Sequence, residues 1–107
     1  MARVALLCRD LLFGSKVQGS LVAAGHEVVA VDQPTEASGA DALVVDLTEE
    51  VEARTTLAGL AGVPTLGFYS HVDQDTRRRA EAAGFDRVVP RSRMHREAPA
   101  LVEDLLR

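Results

Sequence analysis

Five short apolar runs punctuate this chain, and helix-patterned or turn-rich segments separate them. The runs are Ala2–Cys8, Glu27–Val31, Ala42–Leu47, Thr65–Tyr69 and Arg87–Val89. They are nearly continuous in apolar character rather than alternating, as expected of strands buried on both faces. Ser15–Ala24 places Val17, Leu21 and Ala24 close to helical spacing; Ser15 with Gln18 forms a capping-box pattern, and Gly25 is a stop. Thr48 can cap a helix over Glu49–Leu60, whose first turn holds Glu49, Glu50 and Glu52, suited to the positive helix end. Asp73–Ala83 reads as a polar helix ended by Gly84, and Pro99–Leu106 as a final amphipathic helix with Pro99 in its first turn. Asp32–Gly39, with Pro34 and Gly39, leaves room for only a turn or two of helix. Strands alternating with helices through short links imply right-handed βαβ units and a five-stranded parallel sheet with both faces covered.

At 107 residues the chain fits one domain, residues 1–107, and its 47% hydrophobic content suffices for a core without staples. No apolar run approaches the roughly 20 residues that span a bilayer. Met1-Ala2-Arg3-Val4 leads straight into a strand-like run rather than a signal peptide, and the single Cys8 leaves no internal disulfide. These features predict a cytoplasmic protein with no membrane association. Net charge is −4, which speaks against a dedicated nucleic-acid binder. The charge is uneven: residues 1–53 hold three basic and nine acidic groups, residues 54–107 nine basic and seven acidic.

Asp46 ends the third run. A carboxylate closing a buried strand is costly unless it faces a crevice. In open α/β sheets that crevice, outside the carboxyl ends of the strands, is where ligands bind. The loops there would bring together Arg9, Asp10, Asp32, Asp46, Thr48, Tyr69, Ser70, His71, Arg91 and Ser92. With strand order 2-1-3-4-5, Asp10 and Asp46 approach each other and Arg91 reaches over them.

Several of these residues fall in a recognisable order. Asp46 ends strand three. Pro64-Thr65-Leu66-Gly67-Phe68-Tyr69-Ser70 makes a fourth strand closing on hydroxyl residues, and Ala82-Ala83-Gly84-Phe85-Asp86-Arg87-Val88-Val89-Pro90-Arg91-Ser92 follows. Along its whole length the chain resembles the receiver domains of bacterial two-component response regulators, the CheY-like family. The resemblance implies a flavodoxin-like three-layer sandwich in which the second helix is short or missing. It puts Asp46 at the phospho-acceptor position. The departures are equally specific. Counting back from Gly25, the family's Mg²⁺-holding acidic pair falls on Cys8 and Arg9, with Asp10 one step late; its lysine is matched by Arg91 and the following proline by Ser92; its switch hydroxyl falls on Tyr69, with Ser70 adjacent.

Phosphoryl transfer to a carboxylate needs a cation on the transferring oxygens, and Mg²⁺ takes oxygen ligands that include one or two protein carboxylates. Arg9 would repel it; Asp10 with Asp46 supplies two carboxylates for a weak metal site. Arg9 or Arg91 is expected to pair with Asp46, replacing a switchable site by a static ion pair. The chain is accordingly read as a pseudo-receiver: a signalling or protein-interaction module rather than an enzyme, independent of phosphorylation and of any cofactor. Two alternatives stay open: a genuine phospho-accepting receiver using Asp46 with Mg²⁺, and a small anion- or nucleotide-binding flavodoxin-like protein with Arg9, Ser70 and Arg91 as donors.

Arg77, Arg78 and Arg79 form a basic run with i,i+4 partners in Asp75 and Glu81. In receivers, the face built from the helix after strand four, strand five and the last helix makes dimer and output contacts. Here that face would carry Arg77, Arg78, Arg79, Arg87, Arg93 and Arg96, suited to an acidic protein partner or a homodimer. Leu11-Leu12-Phe13 places three large apolar residues in the first loop, where they either pack under the helix or form a docking knob. Cys8 reads as a small buried apolar residue, and the three histidines, 26, 71 and 95, lack metal-ligand spacing.

Overall fold

The computed structural model describes residues 2–48, 62–70 and 74–107. Its sheet consists of β1 (Arg3–Leu7), β2 (Glu27–Ala30), β3 (Ala42–Asp46), β4 (Thr65–Tyr69) and β5 (Arg87–Pro90). All neighbours are parallel, in the order β2-β1-β3-β4-β5. The order expected from the sequence is therefore the observed one. Every residue of β3 and β4 is buried, as central strands covered on both faces require.

Side-chain alternation divides the core into two. On one face Val4, Leu6, Val44, Leu66, Phe68 and Val89 meet α1 (Leu11–Ala23) and the last helix, α3 (Arg91–Leu105). These helices contribute Phe13, Val17 and Leu21, then Met94, Ala98, Leu101 and Val102. On the other face Ala5, Leu7, Leu43, Val45 and Tyr69 meet Ala37 of a 3₁₀ turn (Pro34–Ala37), with Ala80 of α2 (Gln74–Ala82) and Phe85. The link between β2 and β3 thus holds one turn, as its length predicts. The Glu49–Leu60 helix, His71 and the start of the helix placed at Asp73 lie outside the described residues.

Two helix boundaries differ from the sequence reading, for local reasons. The first helix begins at Leu11, not Ser15, because Asp10 caps it: the Asp10 carboxylate accepts the Phe13 N–H at 3.0 Å. Ser15 and Gln18 therefore lie inside the helix. The last helix begins at Arg91, directly after β5, and breaks at Glu97 (φ −128°, ψ 20°). Pro99, which has no N–H to give, falls in the first turn beyond that break, where its missing donor costs nothing. Arg91 and Ser92 are thus helical first-turn residues, not loop residues.

Gly67 marks the closest approach to the sheet. A Cβ there would lie 2.6 Å from Leu47 Cδ1 and 3.1 Å from two ring atoms of Phe85, all in the buried core. Gly67→Val is expected to lower unfolding free energy by about 1–3 kcal/mol, the range for overpacking; an unchanged urea midpoint would refute this contact as a constraint. Among the described residues no helix is long and apolar enough to cross a membrane.

Candidate functional site

β1 and β3 are adjacent, with Leu7 in register with Val45, so the residues that follow meet at the carboxyl edge of the sheet. Asp46 is 3% exposed. Its Oδ1 accepts two hydrogen bonds from Thr48, one from the backbone N–H at 2.9 Å and one from the hydroxyl at 2.7 Å. Its Oδ2 lies 3.5 Å from Cys8 Sγ, which donates to it. The same sulfur lies 3.5 Å from the Asp10 carbonyl. Cys8 therefore stands between the two acidic residues.

The chemistry of that thiol follows from its neighbours. Burial comes first and the negative charge of Asp46 second, and together they push the Cys8 thiol up to about 11. It remains protonated at neutral pH and serves as a hydrogen-bond donor. Alkylation of Cys8 in the folded protein is accordingly expected to be much slower at pH 8 than for a free thiol and to accelerate towards pH 11. Rapid labelling at neutral pH would show that the thiol is not held in this way.

Asp10 is turned to a different purpose. One carboxylate oxygen caps α1 and the other pairs with the Arg91 guanidinium. The Phe13 N–H and then Arg91 hold the Asp10 carboxyl below the usual carboxylate range. A depressed carboxylate adds stability above its unfolded pKa and loses it as pH falls through its folded pKa. The melting-temperature gap between the parent and Asp10→Asn should therefore close on acidification; a gap that persists in acid would assign the effect to something other than charge.

Arg91 also lies over the Phe13 ring, 4.2 Å from its centroid, and Phe13 packs on Phe68 with centroids 5.1 Å apart. Of the two arginines expected at Asp46, Arg91 pairs with Asp10 instead. The first turn of α3 faces the first turn of α1, and the Phe13 ring gives the guanidinium a surface to rest on there. Arg9 is exposed on the turn between β1 and α1, Thr48 is exposed beyond β3, and Ser70 is half-buried just past β4. Tyr69 closes β4 inside the second core. The contribution of Phe13 was not legible in the sequence, since nothing local marks a ring as the seat of a cation. That of Cys8 was foreshadowed by the count that set it on an acidic position.

The arginines of the α2–β5–α3 face carry their own counter-charges. Arg77 meets Glu81 at 3.6 Å, Arg79 meets Asp75 at 3.0 Å, Arg87 meets Asp104 at 3.8 Å and Arg93 meets Glu97 at 3.4 Å. Arg78 lies 3.8 Å from Asp75. Such exposed pairs contribute little stability and exchange readily. Of the apolar triplet, Phe13 is buried, whereas Leu11 and Leu12 are 84% and 71% exposed.

No protein-family model matches the chain, and no curated protein is significantly similar in sequence. Solved structures are similar in fold. A putative response regulator from Chloroflexus aurantiacus superposes with a TM-score of 0.84 at 19% identity, over 98% of this chain and 97% of that one. A Francisella response-regulator receiver domain gives 0.81 at 13% identity, over 99% and 97%. The receiver domain of a Pseudomonas aeruginosa sensor histidine kinase, which holds a magnesium ion in its active-site cleft, gives 0.81 at 14% identity, over 98% and 97%. The fold of this chain is that of the CheY-like receiver domains.

Proposed function

We propose that this chain is a receiver-type signalling and protein-interaction module that acts without being phosphorylated. One observation carries the reading: a protonated thiol, Cys8, rather than a second carboxylate, faces Asp46 across the cleft. Mg²⁺ needs hard oxygen ligands. Here the sulfur is neutral, the Asp10 carboxylate is committed to a helix cap and a guanidinium, and Thr48 donates twice to Asp46. This donor set does not fit the metal, and without the metal the phosphoryl-transfer chemistry of a receiver lacks its divalent cation. On this reading the domain works in the cytoplasm and carries no cofactor. It meets an acidic protein partner or a second copy through the α2–β5–α3 face, with Arg77, Arg78, Arg87 and Arg93 as contact residues. The test is incubation with acetyl phosphate and Mg²⁺, followed by intact mass measurement. No phosphoryl adduct is expected. An adduct that disappears in Asp46→Asn would instead establish a phospho-accepting receiver.

A further inference from the structure

We propose that the open edge of β2 docks an extended segment of a partner protein, in which basic residues alternate with apolar ones. The inference deepens the reading of the chain as an interaction module. It is measured without phosphodonor or magnesium, so either can fail while the other stands.

Among the described residues β2 is the outermost strand and pairs with β1 alone. Its ladder to β1 runs through the N–H of Glu27, which donates to the Ala2 carbonyl at 2.9 Å, and the N–H of Val31, which donates to the Leu6 carbonyl at 3.0 Å. Alternate residues of a strand bond to opposite sides. Val28 and Ala30 therefore turn their backbone groups away from the sheet, where an added strand would pair with them. The opposite edge differs. β5 ends in Pro90, which has no N–H, and the Arg87–Asp104 pair ties it to α3.

The side chains flanking the β2 edge are as open as its backbone. The single 3₁₀ turn after β2 stands where a longer helix would cover the strand, and Val29, in mid-strand, is 40% exposed. On the opposite face Ala30 borders a groove with Leu6, Cys8, Leu11, Gly14 and Gln18. An incoming strand would direct apolar side chains into that groove on alternate positions.

Charge selects the occupant. Residues 26–41 hold Glu27, Asp32, Glu36 and Asp41 and no lysine or arginine. All four carboxylates are exposed, and among the described residues Arg3 meets one of them, 3.1 Å from Glu27. A second copy paired through the same edge would set this acidic rim against itself, and facing like charges oppose pairing. A segment that alternates Lys or Arg with Val or Leu matches both the rim and the groove.

The probe is a capped, fluorescein-labelled Lys-Val-Lys-Val-Lys-Val-Lys peptide, followed by anisotropy at low ionic strength, with a Glu-for-Lys peptide as control. Saturable binding of the basic peptide alone is expected, with slowed amide exchange at Val28 and Ala30. Asp32→Lys should weaken binding several-fold. Ala30→Pro, which removes an outward N–H without touching the β1 ladder, should abolish it. Should the proline variant fail to fold, the charge reversal at position 32 still decides, because it lies in an exposed turn. Absence of saturable binding, equal binding of the acidic peptide, or affinity unchanged by Asp32→Lys would overturn the proposal. So would self-association of the parent chain that Asp32→Lys strengthens, which would assign the edge to a second copy.

Discussion

Cys8→Asp is expected to melt well below the parent without divalent cations and to recover much of that loss in Mg²⁺. The substitution replaces a hydrogen-bond donor by a second carboxylate beside an Asp46 that is 3% exposed. Two carboxylates at that range cannot both stay ionised, so the pair must hold a proton or a cation. The cost without a cation is roughly 1–3 kcal/mol, the scale for leaving a buried polar group without its partner. A carboxyl whose folded pKa is raised is penalised above its unfolded pKa and relieved as pH falls through the folded value. The variant's deficit should accordingly shrink in acid, which separates it from a packing defect. Mg²⁺ that binds only the folded form restores stability through ligand linkage. Thermal melts of parent and variant, with and without Mg²⁺, measure all of this. If the variant neither loses stability nor responds to Mg²⁺, Cys8 is not what sets this cleft apart, and the phosphorylation-independent reading loses its main support.

Phe13→Ala should produce the largest loss of stability of any single substitution considered, about 3–5 kcal/mol by urea unfolding. The ring is buried, packs against Phe68 and carries the Arg91 guanidinium over it. Its loss would open a cavity in the core between α1, α3 and the sheet, and would also remove the surface that orients Arg91. Arg91→Ala alone should cost less, because its side chain is about a third exposed (34%). A double-mutant cycle between positions 13 and 91 should return a favourable coupling of roughly 0.5–2 kcal/mol, the scale of a cation–π contact. Strict additivity would mean that the ring and the guanidinium only happen to be neighbours. Arg91→Lys should recover the ion pair with Asp10 but less of the contact with the Phe13 ring, and so only part of the coupling.

The regular parts of the molecule were legible because their signals are local. Five nearly continuous apolar runs gave the strands within a residue or so of their observed ends, and Pro34 with Gly39 announced the single turn after β2. The errors came where two local signals competed. At α1 a capping-box pattern at Ser15 and Gln18 competed with Asp10; Asp10 prevailed because a carboxylate there also meets Arg91, a partner 81 residues away. At α3 the signal of Pro99 competes with a helical start at Arg91, and the break at Glu97 accommodates both. The cleft was harder still. Its position followed from Asp46 and the strand order, but its pairings depended on which side chains of α1 and α3 meet.

By itself, the order of residues determined that this chain forms a parallel five-stranded sheet, places Asp46 at its carboxyl edge and spends little sequence covering β2. Periodicity and turn chemistry act over a few residues, and so they can be read directly. Only the tertiary structure decided that Arg91 serves Asp10 rather than Asp46, that Cys8 is a hydrogen-bond donor to Asp46 rather than only a small buried apolar residue, and that β2 keeps one edge unpaired among the described residues. Those outcomes rest on helix docking and hydrogen-bond competition between segments up to 81 residues apart, and no short-range pattern records who wins such a competition.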